Sequence, residues 1–129
     1  MKTGFNEVVL TVDVPLTGDI RTLRSELTYF SEILGYMIVV PEGFKTDLGS
    51  IPQVLQGVFP KDGKAMYGYI LHDYLYQVGI ESRSISDDVL EEAMESLGVS
   101  WGTRRSVRLG LAIGGWVAWD AHRSGKGQI

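Results

Sequence analysis

The sequence predicts an α+β fold, a small N-terminal antiparallel sheet packed on a three-helix C-terminal part. Three observations carry this. Val8, Leu10, Val12 and Val14 alternate with Glu7, Thr11 and Asp13, the period of a half-buried strand. Beyond position 64, apolar residues return at three- and four-residue spacing, the period of helices with a buried face. Proline and glycine cluster between these segments, where turns are needed. At 129 residues the chain has single-domain length. The sheet is expected over about 5–46, a loop over 46–63, and helices over about 64–122.

Taken in order, Phe5–Val14 reads as the first strand, and Pro15 and Gly18 interrupt it. Ile20–Phe30 reads as a second strand, with Leu27, Tyr29 and Phe30 suited to a sheet. Tyr36–Val40 is a β-branched run ended by Pro41; Glu42-Gly43 makes a turn, and Phe44–Thr46 continues as a short strand. Thr46–Pro52 (TDLGSIP) is a loop rich in residues that bond their own backbone. The first helix spans Ala65–Val78 and ends at Gly79. The second starts at Ser84 and stops at Gly98, and the third runs from about Ser100 to His122.

Composition narrows the function classes. An apolar fraction of 44% and a charged fraction of 22% are ordinary for a globular protein. Absence of cysteine excludes disulfides, thiolate zinc sites and cysteine nucleophiles. A net charge of −4 argues against general nucleic-acid binding. The N-terminus lacks the apolar core and cleavage site of a secretory signal. The apolar run Leu109–Trp119 is too short to span a bilayer, so no transmembrane segment is expected.

The chemistry gathers in the first helix. In Ala65–Val78 (AMYGYILHDYLYQV), every residue except His72, Asp73 and Gln77 is apolar, aromatic or glycine. A helix apolar all round is an interior helix, and polar groups placed there need partners. Asp87 falls at the edge of the apolar stripe formed by Val89, Leu90, Ala93, Met94 and Leu97, while Asp88 faces water. An aspartate facing His72 from the next helix would orient it as a general base. Asp73 and Asp47, with Gly49 and Ser50 supporting the loop, are candidate ligands for a hard divalent cation such as calcium or magnesium. Structural alternatives stand beside these: Asp87 as part of a capping box opened by Ser84, Asp73 as a partner of Arg83, and His72 as a core histidine. Arg104, Arg105 and Arg108 open the last helix, where the dipole disfavours cations. They either pair with the acidic face of the second helix or form an anion-binding site. His122, the second histidine, is expected in a solvated, charged terminus. No P-loop or serine elbow is present.

Val40–Pro52 (VPEGFKTDLGSIP), followed by His72-Asp73-Tyr74-Leu75-Tyr76, Arg83, Asp87 and Ala93-Met94, resembles the signature of a phage and prophage family, domain of unknown function 1353. The resemblance implies a phage or prophage origin and supplies no activity. More loosely, an H-D-x-x-Y helix followed by an aspartate on the next is similar to the phospholipase A2 layout. That likeness implies His72 as base, Asp87 as its orienter and Asp73 as a calcium ligand.

Three functions follow as expectations. One is a phage-encoded accessory protein with a His/Asp site, a small metal-assisted hydrolase of an ester or cell-envelope substrate. Another is a non-enzymatic virion component of tail, baseplate or connector, contacting other virion proteins or its own copies. The third is a host-directed binder of a small ligand or protein. Host cytoplasm or the virion is the expected location.

Overall fold

The structure, a computed structural model, describes residues 2–6, 10–17, 20–46 and 65–124. Its strands are β1 (Gly4–Phe5), β2 (Val12–Asp13), β3 (Arg21–Leu23), β4 (Leu27–Ser31), β5 (Tyr36–Val40) and β6 (Lys45–Thr46). The helices that follow are α1 (Ala65–Val78), α2 (Arg83–Ser96) and α3 (Trp101–Arg123). The α+β division into an N-terminal antiparallel sheet region and C-terminal helices is as the sequence indicates.

Where one sheet was expected, the strands form two three-stranded antiparallel sheets, ordered β1-β4-β5 and β2-β3-β6. The cause lies in Arg24-Ser25-Glu26. Arg24 donates its backbone N–H to Thr11 O, and Ser25 Oγ accepts from Thr11 N, so the segment read as one strand over Ile20–Phe30 is split. Leu23 then faces Val12 in one sheet while Leu27 faces Val40 in the other. The expected first strand is divided likewise into β1 and β2, with residues 7–9 outside the described set. In the β4–β5 hairpin, Gly35 adopts φ +77°, a conformation costly for other residues, and donates to Ser31 O.

Alternation places Leu27 and Tyr29 of β4, with Ile38 and Val40 of β5, on the buried face. They join Leu23, and then Tyr69, Ile70, Leu71 and Leu75 of α1, Val89, Leu90, Ala93 and Met94 of α2, and Val107 and Leu111 of α3, in one core cluster. α1 packs on both other helices and reaches β6, while α2 rests on β1 and β4. Tyr29 crosses this layer to donate to Glu92 Oε1 at 2.8 Å.

Helix ends account for two sequence signals. Gly98 (φ +84°) closes α2 in a Schellman arrangement, with Val99 N–H reaching Met94 O at 3.0 Å. The start of α2 differs from the sequence reading: Ser82 is the N-cap, its side chain accepting from Ile85 N at 3.2 Å. The helix thus begins before Ser84, and Asp87 lies beyond the positions a capping box uses. Among the described residues, no helix is long and apolar enough to cross a membrane.

Burial pushes the Tyr69 hydroxyl up, and for Tyr29 burial, the hydrogen bond to Glu92 and the nearby acidic charges all act in that direction. A phenol whose pKa rises on folding leaves stability intact below about pH 10, where both states are neutral; above it, unfolded chains ionise and stability is lost. On alkaline titration, tyrosinate absorbance from these two residues should therefore appear together with loss of helical circular dichroism. Ionisation of both in a still-folded protein would contradict this packing.

Candidate active site

His72 and Asp73 are neighbours on α1, so their side chains leave the helix about 100° apart. Each meets a different part of the fold. His72 turns to α2, where its Nε2 lies 2.8 Å from Asp87 Oδ1. Asp73 turns to β6 and the end of α3, where Thr46 Oγ1 donates to its Oδ2 at 2.5 Å and His122 Nε2 stands 3.8 Å from its Oδ1.

Asp87 is the densest node. Its side chain is 1% exposed, and a carboxylate so placed needs donors and counter-charges. Tyr76 Oη donates to Oδ1 at 2.6 Å. Arg108 Nη1 lies 3.4 Å from Oδ2 and Arg83 Nη1 4.0 Å from it. Arg83 also donates to Leu111 O at 3.2 Å, and Arg108 Nη2 reaches Asp88 at 3.1 Å. The three helices are therefore joined through one carboxylate. Burial first, and then the Asp87 charge and hydrogen bond, push the Tyr76 hydroxyl up, so it remains a donor. Because the carboxylate accepts, Nε2 of His72 carries the hydrogen, and Nδ1 is left as the basic nitrogen. Among the described residues nothing bonds Nδ1.

A glycine makes this arrangement possible. A Cβ at Gly115 would lie 2.9 Å from Tyr76 Oη, so α3 presents bare backbone where the tyrosine hydroxyl turns to Asp87. The close approach of α3 to α1 thus falls at Gly115.

The second pair corrects the sequence reading of His122. Its side chain is 5% exposed, not solvated. The reason is the docking of the last turn of α3. Arg123 donates to Tyr76 O and Gln77 O at the end of α1, where helix carbonyls lack partners, and its guanidinium lies 4.3 Å above the Trp119 ring. Trp119 in turn packs edge-on against Tyr76. Arg83, considered as a partner for Asp73, faces Asp87 instead, and Gln77 bonds Asp73 at 3.2 Å.

The remaining candidates divide. Asp47, Gly49 and Ser50 lie outside the described residues, although Thr46, which precedes Asp47, bonds Asp73. Among the described residues, no group of three or more His, Cys, Asp or Glu side chains could hold a metal ion. Arg104 donates to Val99 O at 2.7 Å, Arg105 stands 3.9 Å from Glu91, and Arg108 is engaged by Asp87 and Asp88. Arg105 and Arg108 border an open groove of about 850 Å³ that Glu32, Asp88, Glu91, Glu92 and Glu95 also line.

A family model matches residues 21–110, from β3 into α3. The chain belongs to the DUF1353 family. The description of the family is a protein of unknown function. No curated protein and no solved structure matches the chain. In this DUF1353 protein the matched span contains His72, Asp73, Tyr76, Arg83, Asp87 and Arg108, whereas His122 and Arg123 lie beyond it. Sequence reasoning missed Tyr76, Thr46 and Gln77 as site residues. Tyr76 had a signal, its place one turn after His72; Thr46 and His122 are brought in by tertiary packing alone.

Two outcomes are expected. Asp87→Ala should destabilise the fold by about 3–5 kcal/mol in urea unfolding, because it strands buried partners. Removing the exposed Arg24–Asp13 pair should cost no more than about 1 kcal/mol. Gly115→Ala should cost about 1–3 kcal/mol through overpacking, and a smaller penalty should remain when Tyr76→Phe removes the hydroxyl it strikes.

Proposed function

We propose that this DUF1353 protein is a small hydrolase in which His72 acts as general base and Asp87 holds it in place. The observation that supports this reading is the commitment of Nε2 to a buried, multiply bonded carboxylate, which leaves Nδ1 to take a proton. Asp87 also stabilises the imidazolium formed when a water gives up that proton. The substrate class is an ester, carboxylic or phosphoric, including those of a cell envelope, and the family resemblance suggests a phage or prophage setting.

Asp73 suits a cation ligand in charge and burial, with the Thr46 hydroxyl beside it and Asp47 next in the chain. A hard divalent ion such as calcium or magnesium is the starting expectation. When bound, it would supply Lewis-acid polarisation of the ester oxygen. The phospholipase A2 likeness supports the same roles, with His72 and Asp87 as the dyad and Asp73 as the cation ligand.

A second reading, a non-enzymatic virion component, draws on other observations. His72 is only 2% exposed, and α3 presents Trp101, Leu109, Trp116 and Val117 to solvent, a surface suited to protein contact.

Purified protein should be assayed on carboxylic esters, phosphodiesters and phospholipid vesicles, with calcium or magnesium present. Turnover is expected, and His72→Gln should lower it about 10²–10⁴-fold with its circular dichroism unchanged. Equal turnover in that variant would overturn the role of His72. No turnover on any substrate, together with recovery of the protein in purified virions, would favour the second reading.

A further inference from the structure

We propose that β5 is a docking edge for a second copy of this chain, which adds its own β5 antiparallel and joins the two sheets into one. The inference is independent of the hydrolase reading. It names an element, a partner and a register.

β5 lies at the edge of the sheet ordered β1-β4-β5, and among the described residues its backbone is bonded only by β4. Which of its groups stay open follows from the opposite side of the sheet. Asn6 N–H donates to Thr28 O at 3.1 Å, and Asn6 Oδ1 accepts from Thr28 N–H at 3.1 Å. Thr28 thus turns its backbone polar groups to β1. Alternate residues of a strand turn theirs to opposite sides, so Leu27, Tyr29 and Ser31 face β5. Their partners there are Val40, Ile38 and Tyr36. Met37 and Val39 are left facing outward, with two donors and two acceptors on an open edge.

Edge strands ordinarily carry a charge, a proline or a bulge that deters pairing. β5 carries none of these. Tyr36–Val40 is YMIVV, and its pairs with β4 run without a break in register. Pro41 stands only after its last residue. Met37 and Val39 are each 42% exposed, so apolar side chains accompany the open backbone groups.

Self-pairing selects one register. A two-fold axis at Ile38 sets Met37 opposite the partner's Val39 and Val39 opposite the partner's Met37. All four outward groups of each copy are then bonded. A shift of two residues sets Val39 against Gly35, whose N–H is held by Ser31 O, or Met37 against Pro41, which has no N–H. No charged residue lies between Ile33 and Pro41, so no like charges are opposed. The other edge strand, β1, is only 2 residues long, so the assembly closes at a pair of copies. One strand pair makes a small interface, and the dimer is expected to form and dissociate with concentration.

Sedimentation equilibrium of the full chain, at concentrations up to about 1 mM, should show monomer and dimer in exchange. Amide hydrogen exchange followed by NMR locates the contact. Met37 and Val39 should exchange fast in dilute solution and slowly once dimer forms, with Ile38 and Val40 slow throughout. Val39→Pro removes an outward N–H and leaves the β4 bonds in place, and by symmetry the dimer loses two bonds. Its dimer affinity should fall at least about tenfold, with Ile38 still protected. Met37→Lys, a charge on the edge, should act in the same direction, whereas Leu109→Lys on the exposed face of α3 should leave the dimer unchanged. A monomer at every concentration would overturn the proposal and leave the edge to an extended segment of a different protein. A dimer that Leu109→Lys disrupts and Val39→Pro spares would move the contact to α3 and overturn it as well.

Discussion

A single buried carboxylate organises the helical half of this protein. Asp87 is inaccessible to water, and its two oxygens are approached by a phenol, an imidazole and two guanidinium groups from three helices. The desolvation of such a charge is costly, and it is tolerated because the neighbours are supplied by elements that pack together in any case. The bare backbone at Gly115 lets α3 come close enough for Tyr76 to share in this. The arrangement fixes the relative placement of the helices and, at the same time, the orientation of one imidazole. Packing and potential chemistry are thus not separable here.

The fold class was legible because the two hydrophobic periods are well separated along the chain. Helix ends were legible where glycine adopts positive φ, as at Gly79 and Gly98. Strand divisions were not, because the break at Arg24-Ser25-Glu26 is a matter of which backbone groups pair across the sheets, and Thr11, far away in sequence, supplies the partner. Similarly, Ser82 and Ser84 are equivalent as cap candidates in the sequence. Only the turn geometry chooses Ser82.

At the candidate site, Asp87 and His72 could be paired from sequence since both fall on inward-facing helix positions. The separate character of Asp87 and Asp88 was also readable from helix phase, and the structure bears it out: one is buried, the other pairs with Arg108 near the surface. His122 could not be read, because its burial depends on Arg123 binding the carbonyl end of α1. Nothing in the surrounding charged residues announces that contact. The acidic second helix and basic start of the third are complementary, as their composition suggested, and Arg105 stands by Glu91 while Arg108 pairs with Asp88.

The adjacency of His72 and Asp73 on one helix has a mechanical consequence. Because they project about 100° apart, one to α2 and the other to the end of α3, α1 acts as a shared axle for both histidine–aspartate pairs. Any rotation of the helix about its axis alters both gaps together. The two halves of the site are therefore geared, and the pose of α1 sets both gaps at once.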